Sequence, residues 1–281
     1  MPVYEINNHS LLTDRAGVSE LLRFFHFAYK LSDIQIKLDL SKPIHVDANL
    51  SALILALLNK LFIERNVRVY VELGEKSDVF FRNGFISHLK GKGNVNEYED
   101  DRKSTIALTT FNPDQSELFC GYLKNNFFNH RGLENLDKNL KKKLRLNYIE
   151  VFNNVELHAE SKYKVFCCGQ YFPERHVLKF TLIDLGEGFL KKINKYTGGK
   201  IKDDNSAIIW STQDFNSTKS VEFGPGGTGL KELIKFCNSN NGSLHICSGL
   251  GYVQILNNKT LEYKLPQPFP GSLVNIIIRD I

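Results

Sequence analysis

The stretch EVFNNVELH (Glu150 to His158) sits within a longer helical pattern that runs from about Leu133 to Ala159. Spacings of four and eight residues put Glu150, Asn154 and His158 on one helical face. Val151, Phe152 and Val155 fall off that face, where they can meet a core. A carboxylate, an amide oxygen and an imidazole in a row suit a hard cation with its waters, and the carboxylate suits a role in orienting a nucleophile. A solvated helix stripe gives the same pattern.

Two further elements follow in order. DLGEGF (Asp184 to Phe189) comes directly after a strand. Paired glycines let a flat ligand approach the backbone, and a buried carboxylate accepts a bond from an amino group. A plain strand-to-loop turn also uses Asp and Gly. GPGGTGL (Gly224 to Leu230) opens a helix, whose free N–H groups and dipole favour a phosphate. A flexible connector is the alternative. No Gly-Lys-Ser/Thr follows, so this is not a Walker A loop.

Working outward, the first third alternates strands and helices. IQIKLDL (Ile34 to Leu40) alternates apolar and polar residues as a half-buried strand does. The helix NLSALILALLNKLFIER (Asn49 to Arg65) carries Leu50, Leu53, Leu57 and Leu61 on one face, with Asn49 as its N-cap. VRVYVEL (Val67 to Leu73) is the next strand, and the order implies a parallel pair with a crossover helix. DVFFRNGFISHL reads as a helix broken at Gly84, and STIALTTF (Ser104 to Phe111) as a last strand.

The turn-rich NPDQSE then marks a domain boundary, giving domains of residues 1–111 and 112–281. In the second, SELFCGYLKNNFF reads as a helix, and KYKVFCCGQYF and RHVLKFTLIDL as strands joined around Pro173 and Glu174. Cys167 and Cys168 lie within the first of these, one pointing in and one out. A polar stretch from Phe189 to Phe223 reads as a lid. A helix (Leu230 to Asn238) and the strands SLHICSG, GYVQILN and SLVNIIIRDI close the chain. The run Lys141-Lys142-Lys143 with Arg145 is interleaved with Leu136, Leu140 and Leu144, the pattern of an amphipathic helix face.

The chain has 281 residues, 42% hydrophobic and 24% charged, ordinary values for a globular protein of one large or two modest domains. Its 36 basic and 31 acidic residues give a net charge of +5, too mild and too scattered to predict a nucleic-acid partner. Five cysteines without a CxxC spacing argue against a zinc site or a disulfide framework, and for a reducing, cytoplasmic setting. No apolar run approaches the roughly 18 residues of a membrane span, and no signal peptide is read at the start.

Taken in order, the three elements resemble the N, G1 and G2 boxes of the GHKL ATPase superfamily, over roughly Asn112 to Ile281. The N-box looks most like that of the anti-sigma-factor serine kinases, and FPGSLVNIII (Phe269 to Ile278) resembles the family's final strand, with Ser272 where a threonine is usual. The resemblance implies an α/β sandwich of the Bergerat type that binds ATP and Mg²⁺. In it Glu150 is the general base and Asn154 the Mg²⁺ ligand. Asp184 binds the adenine amino group, with Gly186 and Gly188 against the base and Ser272 beside it. Gly227, Thr228, Gly229 and Leu230 approach the phosphates, and His158 steadies the phosphate end. Lys231 and the lid lysines Lys191, Lys192 and Lys195 are weaker candidates.

HVDANLSALILALLNKLFIERNVRVYVEL is similar, more loosely, to STAS-like domains, the fold of anti-sigma-factor antagonists. There a serine at the start of the helix is phosphorylated by a partner kinase. Here Asn49 stands near that position and Ser51 fits only with a shift of register, which favours a docking domain without that switch. The whole reads as an α/β protein, a STAS-like domain followed by a GHKL domain, acting as a nucleotide-gated switch or ATPase. A protein serine/threonine kinase and a non-catalytic ATP-binding scaffold are the alternatives. A protein partner through the first domain and a homodimer are expected.

Overall fold

The computed structural model describes residues 1–75, 77–159, 163–213 and 229–279, with 155–159 by backbone alone. The strand, helix and strand of the first third form as their order requires. β1 (Val3–Glu5) and β3 (Gln35–Leu40) pair in parallel, and β5 (Arg68–Leu73) extends the same sheet on the other side of β3. The short strands β2 (Ser10–Leu11) and β4 (His45–Val46) make a separate parallel pair. Helix α1 (Arg15–Ala28) starts at Asp14, whose carboxylate accepts the Gly17 N–H at 2.9 Å.

Helix α2 (Leu50–Arg65) buries more than the single leucine face its spacing shows. Ile54, Leu58 and Ala52 are buried along with Leu50, Leu53, Leu57 and Leu61. A helix apolar on two sides can be covered on two sides, although Phe62 and Ile63 near its end stay exposed. Here one cover is the parallel sheet and the other is a second sheet, with α2 between them. After β5 come α3 (Val79–Arg82) and α4 (Phe85–Leu89), separated at Gly84 as the sequence implies.

The second sheet is antiparallel. It contains β6 (Thr105–Phe111), β7 (Val165–Phe172), β8 (Val177–Asp184), β9 (Ser243–Leu256) and β10 (Lys259–Arg279), in the order β6-β7-β8-β10-β9. Strand β6 therefore corrects the boundary at residue 112. STIALTTF is an edge of the second sheet and not the last strand of the first domain, and NPDQSE only introduces the next helix. Its alternating pattern suits either sheet, and the choice of the distant partner β7 is not written in the local sequence.

Helices α5 (Ser116–Tyr122), α6 (Lys138–Ala159), α8 (Asp204–Thr212) and α9 (Gly229–Ser239) are packed with one face of this sheet around Phe119, Tyr148, Phe152 and Phe180. Within α6, Leu144 is buried and Lys142 and Lys143 are exposed, the amphipathic face the leucines predict. The opposite face packs against α1 and α2. With both faces covered, Cys167 and Cys168 point to opposite sides and both are buried, a correction to the one-in, one-out reading. Burial pushes both thiols up, Cys168 to about 12.

Two other expectations change. The stretch from Phe189 is not a featureless loop, since it holds α7 (Leu190–Tyr196) and α8; residues 214–223 lie outside the described part. SLHICSG and GYVQILN are one strand, β9, folded back near Gly249 so that the Tyr252 hydroxyl meets His245 Nδ1 at 2.9 Å. β10 shifts register opposite this bend, between Lys264 and Ser272, where Pro266, Pro268 and Pro270 interrupt the ladder.

A polar band crosses the covered face. Cys168, Thr181, Asn275 and His245 are register partners in one row across β7, β8, β10 and β9. Asn49 meets this row: its amide donates to Thr181 Oγ1 (2.7 Å) and Asn275 Oδ1 (3.2 Å) and accepts from Thr13 Oγ1 (2.9 Å). Its side chain therefore does not cap α2, although it stands at the cap position. Beside it Lys179 pairs with Asp47 at 2.6 Å, and Gln170 accepts the Ala48 N–H at 2.6 Å.

Replacing Asn49 by Leu strands the Thr13 hydroxyl in a dry interface and removes a donor from Thr181, which keeps its own bond to Asn275 Oδ1, and is expected to cost about 1–3 kcal/mol. Because α2 belongs to both sheets' cores, wild-type unfolding in urea is expected to be one transition, coincident by circular dichroism and by Trp210 fluorescence. Two separated transitions would contradict the shared core.

Candidate functional site

Strand β8 ends at Asp184. Leu182 points into the helix-covered face, and two residues on Asp184 points the same way. Its register partner is Ser272 on β10, which in turn faces Ser248 on β9, so one polar row closes this end of the sheet. Ser272 Oγ donates to Asp184 Oδ2, and the Gly186 N–H donates to Oδ1 at 2.8 Å. Among the described residues each oxygen thus holds one donor, and a carboxylate has lone pairs for more. Asp184 is only 6% exposed, and burial raises its pKa, against the Ser272 and Gly186 bonds and the nearby Lys192 charge that lower it.

The turn after Asp184 is pinned to the neighbouring strands by glycine. Gly188 has φ +71°, and a Cβ there would stand 2.3 Å from Ser248 Oγ. That hydroxyl donates to Gly271 O (2.9 Å) and accepts the Phe189 N–H (3.2 Å). A Cβ on Gly271 would sit 2.1 Å from Asp184 O. Ser248 and Gly271 were not marked by the sequence reading. The available signal was small: a Ser-Gly pair at a strand bend and the Pro-Gly-Ser that precedes the final strand.

Helix α6 brings the other candidates to the same side of the sheet. Val151 and Phe152 are buried in the helix-side core, and Glu150 and Asn154 are half-buried. Asn153 accepts from Ser116 Oγ at 2.8 Å, which fixes the rotation of α6 against α5. The start of α9 lies directly on α6: a Cβ at Gly229 would be 2.9 Å from Asn147 O and 3.3 Å from Glu150 Cδ. The Glu150 carboxylate therefore stands by the positive end of α9, a favourable place for negative charge. Leu230 turns its side chain into the core.

Of the remaining candidates, Lys191 pairs with Glu187, and Lys192 is felt by Asp184. Gly227 and Thr228 lie outside the described residues, as does the side chain of His158, although its backbone is in α6. Among the described residues no group of three or more His, Cys, Asp or Glu side chains is placed to hold a metal. No helix of the described part is long and apolar enough to cross a membrane.

No protein-family model, curated protein or solved structure matches the chain.

The sign of the Asp184 shift makes a test. A carboxyl whose folded pKa lies above its unfolded value lowers stability once ionised; that penalty is full above the folded pKa, shrinks as pH falls through it and is gone below the unfolded pKa. Ser272→Ala removes a donor and is expected to raise the Asp184 pKa further, read by carbon-13 NMR of the carboxyl group. An ordinary aspartate titration in both proteins would show that the carboxyl is not buried as described.

Proposed function

We propose that the chain is a Mg²⁺-dependent ATP-binding protein of the GHKL type, working as a nucleotide-gated switch or ATPase, with a STAS-like domain docked on the back of its sheet. The observation that carries this reading is Asp184. It is a buried carboxylate at the end of a strand, oriented by Ser272 and Gly186, with acceptor capacity left over and a glycine-built turn beside it. A group whose burial costs stability and whose lone pairs are not all used suits a ligand's amino group. The helical layer on an antiparallel sheet is the layering that the resemblance implies.

When bound, Mg²⁺–ATP supplies the transferable phosphoryl group. Asp184 accepts a bond from the adenine amino group, and the Gly186–Gly188 turn lies against the base. Asn154 offers the metal an amide oxygen. Glu150, at the α6–α9 contact, takes the proton from the attacking water or hydroxyl.

The kinase alternative loses its nearest substrate. Ser51 has no exposed surface, accepts from the Asn83 amide at 2.9 Å and points at Cys168 Sγ 3.5 Å away. A kinase reading therefore needs a hydroxyl on another protein.

Asp184→Asn is expected to weaken ATP binding by about tenfold or more while leaving thermal stability unchanged or higher. Glu150→Ala is expected to keep ATP binding and lower phosphate release about 100-fold. Calorimetry with ATP and a phosphate-release assay check both. Normal ATP affinity in Asp184→Asn would remove this reading of the site.

A further inference from the structure

The parallel sheet has one long edge that nothing among the described residues closes. β1, at one side, is three residues long and follows Pro2, a short, blunted edge. β5, at the other, runs for six residues. The edges of the second sheet carry cross-links of another kind. On β6, Leu108 N–H bonds Asn83 O, and Asn94 takes the N–H and C=O of Thr110. On β9, Leu250 N–H bonds Asp204.

The direction of the open groups on β5 follows from its pairing. Arg68 N–H bonds Ile34 O, so residues 68, 70 and 72 turn their backbone groups toward β3. Val69 and Val71 then turn theirs outward, and no described residue bonds to them. Burial agrees: the inward side chains of the central strand, Ile36 and Leu38, are fully covered, whereas Val69 and Val71 are only half-buried. Tyr70 is 56% exposed, and Phe62, 51% exposed, lies beside the edge with the Arg68 guanidinium 6.0 Å from its ring.

We propose that β5 is the site of self-association, pairing antiparallel with β5 of a second copy of this chain about a two-fold axis at Tyr70. The strand is self-complementary in that register. Val69 faces the partner's Val71 and Val71 the partner's Val69, so both outward backbone pairs exchange hydrogen bonds. Arg68 then faces the partner's Glu72 and Glu72 the partner's Arg68 in the closer, non-hydrogen-bonded pairs. The two three-stranded sheets become one of six strands. An isologous two-fold contact needs this kind of self-matching sequence, and opposite charges two residues either side of the centre provide it. The inference stands apart from the nucleotide reading, since β5 carries none of the candidate site residues.

The test is sedimentation of the full chain over a range of micromolar concentrations. Wild type is expected to run at twice the monomer mass. R68E and E72R, both at exposed positions, are each expected to raise the dimer Kd by about tenfold or more, and a one-to-one mixture of the two to restore the dimer by reuniting opposite charges. Val71→Pro removes an outward N–H without touching the β3 ladder and is expected to give a folded monomer by circular dichroism. A monomeric wild type overturns the proposal. So does a dimer indifferent to R68E and E72R, or a mixture of these two variants no more associated than either alone.

Discussion

The structure depends on a single constraint, the burial of both faces of the five-stranded sheet. A sheet covered on one side alone lets its other face stay polar and wet. Here α1 and α2 occupy that other face, and the consequences run through the chain. Helix α2 must be apolar on two sides, two adjacent cysteines are both dry, and every polar group in the Cys168–Thr181–Asn275–His245 row is drawn into the interior. His245 shows the cost: burial, with Lys179 and Arg279 nearby, pushes its pKa down to about 4. Asn49 and Asp47 supply the partners that make such an interface tolerable, since an unpaired polar group there costs as much as several good contacts bring.

The same constraint joins the first half of the chain to the helix that carries Glu150. Beyond α6 and the three residues that follow it, Tyr163 donates to Glu64 near the end of α2, and Tyr29 donates to the other carboxylate oxygen at 2.7 Å. Lys60 lies 4.5 Å over the Tyr163 ring. The start of the segment that leads into β7 is thus anchored to α2, while the middle of α6 bears on the start of α9. The β9–β10 hairpin adds a second tie, with His26 bonded to Pro268 O at 2.8 Å and Arg15 over Tyr263 at 4.7 Å.

Much of this was legible along the chain, where periodicity is local. The pair β3 and β5, the break at Gly84, the turn at Pro173 and the run of α6 through Glu150 and Asn154 all follow from spacing and breakers. The row of Asp184 with Ser272 follows only from register, but both residues were marked by motif. What failed is non-local. The pattern of STIALTTF does not say which sheet it joins, and Asn49 before an apolar run reads as a cap whether or not its side chain has a better partner across an interface. Cys167-Cys168 reads as half-exposed unless the second cover is known. Ser248 was missed because its work is to hold a turn that comes from 60 residues earlier in the chain, in Gly188 and Phe189.

The central claim is that the Asp184 turn, the Glu150–Asn154 face of α6 and the start of α9 are one nucleotide site. Hydrogen–deuterium exchange of the full chain with and without Mg²⁺–ATP tests it most directly. The account predicts slower exchange at Gly186–Phe189, at the start of α9 and in the middle of α6, with β3 unchanged. Identical exchange in those three segments, or protection confined to other parts of the chain, would contradict it.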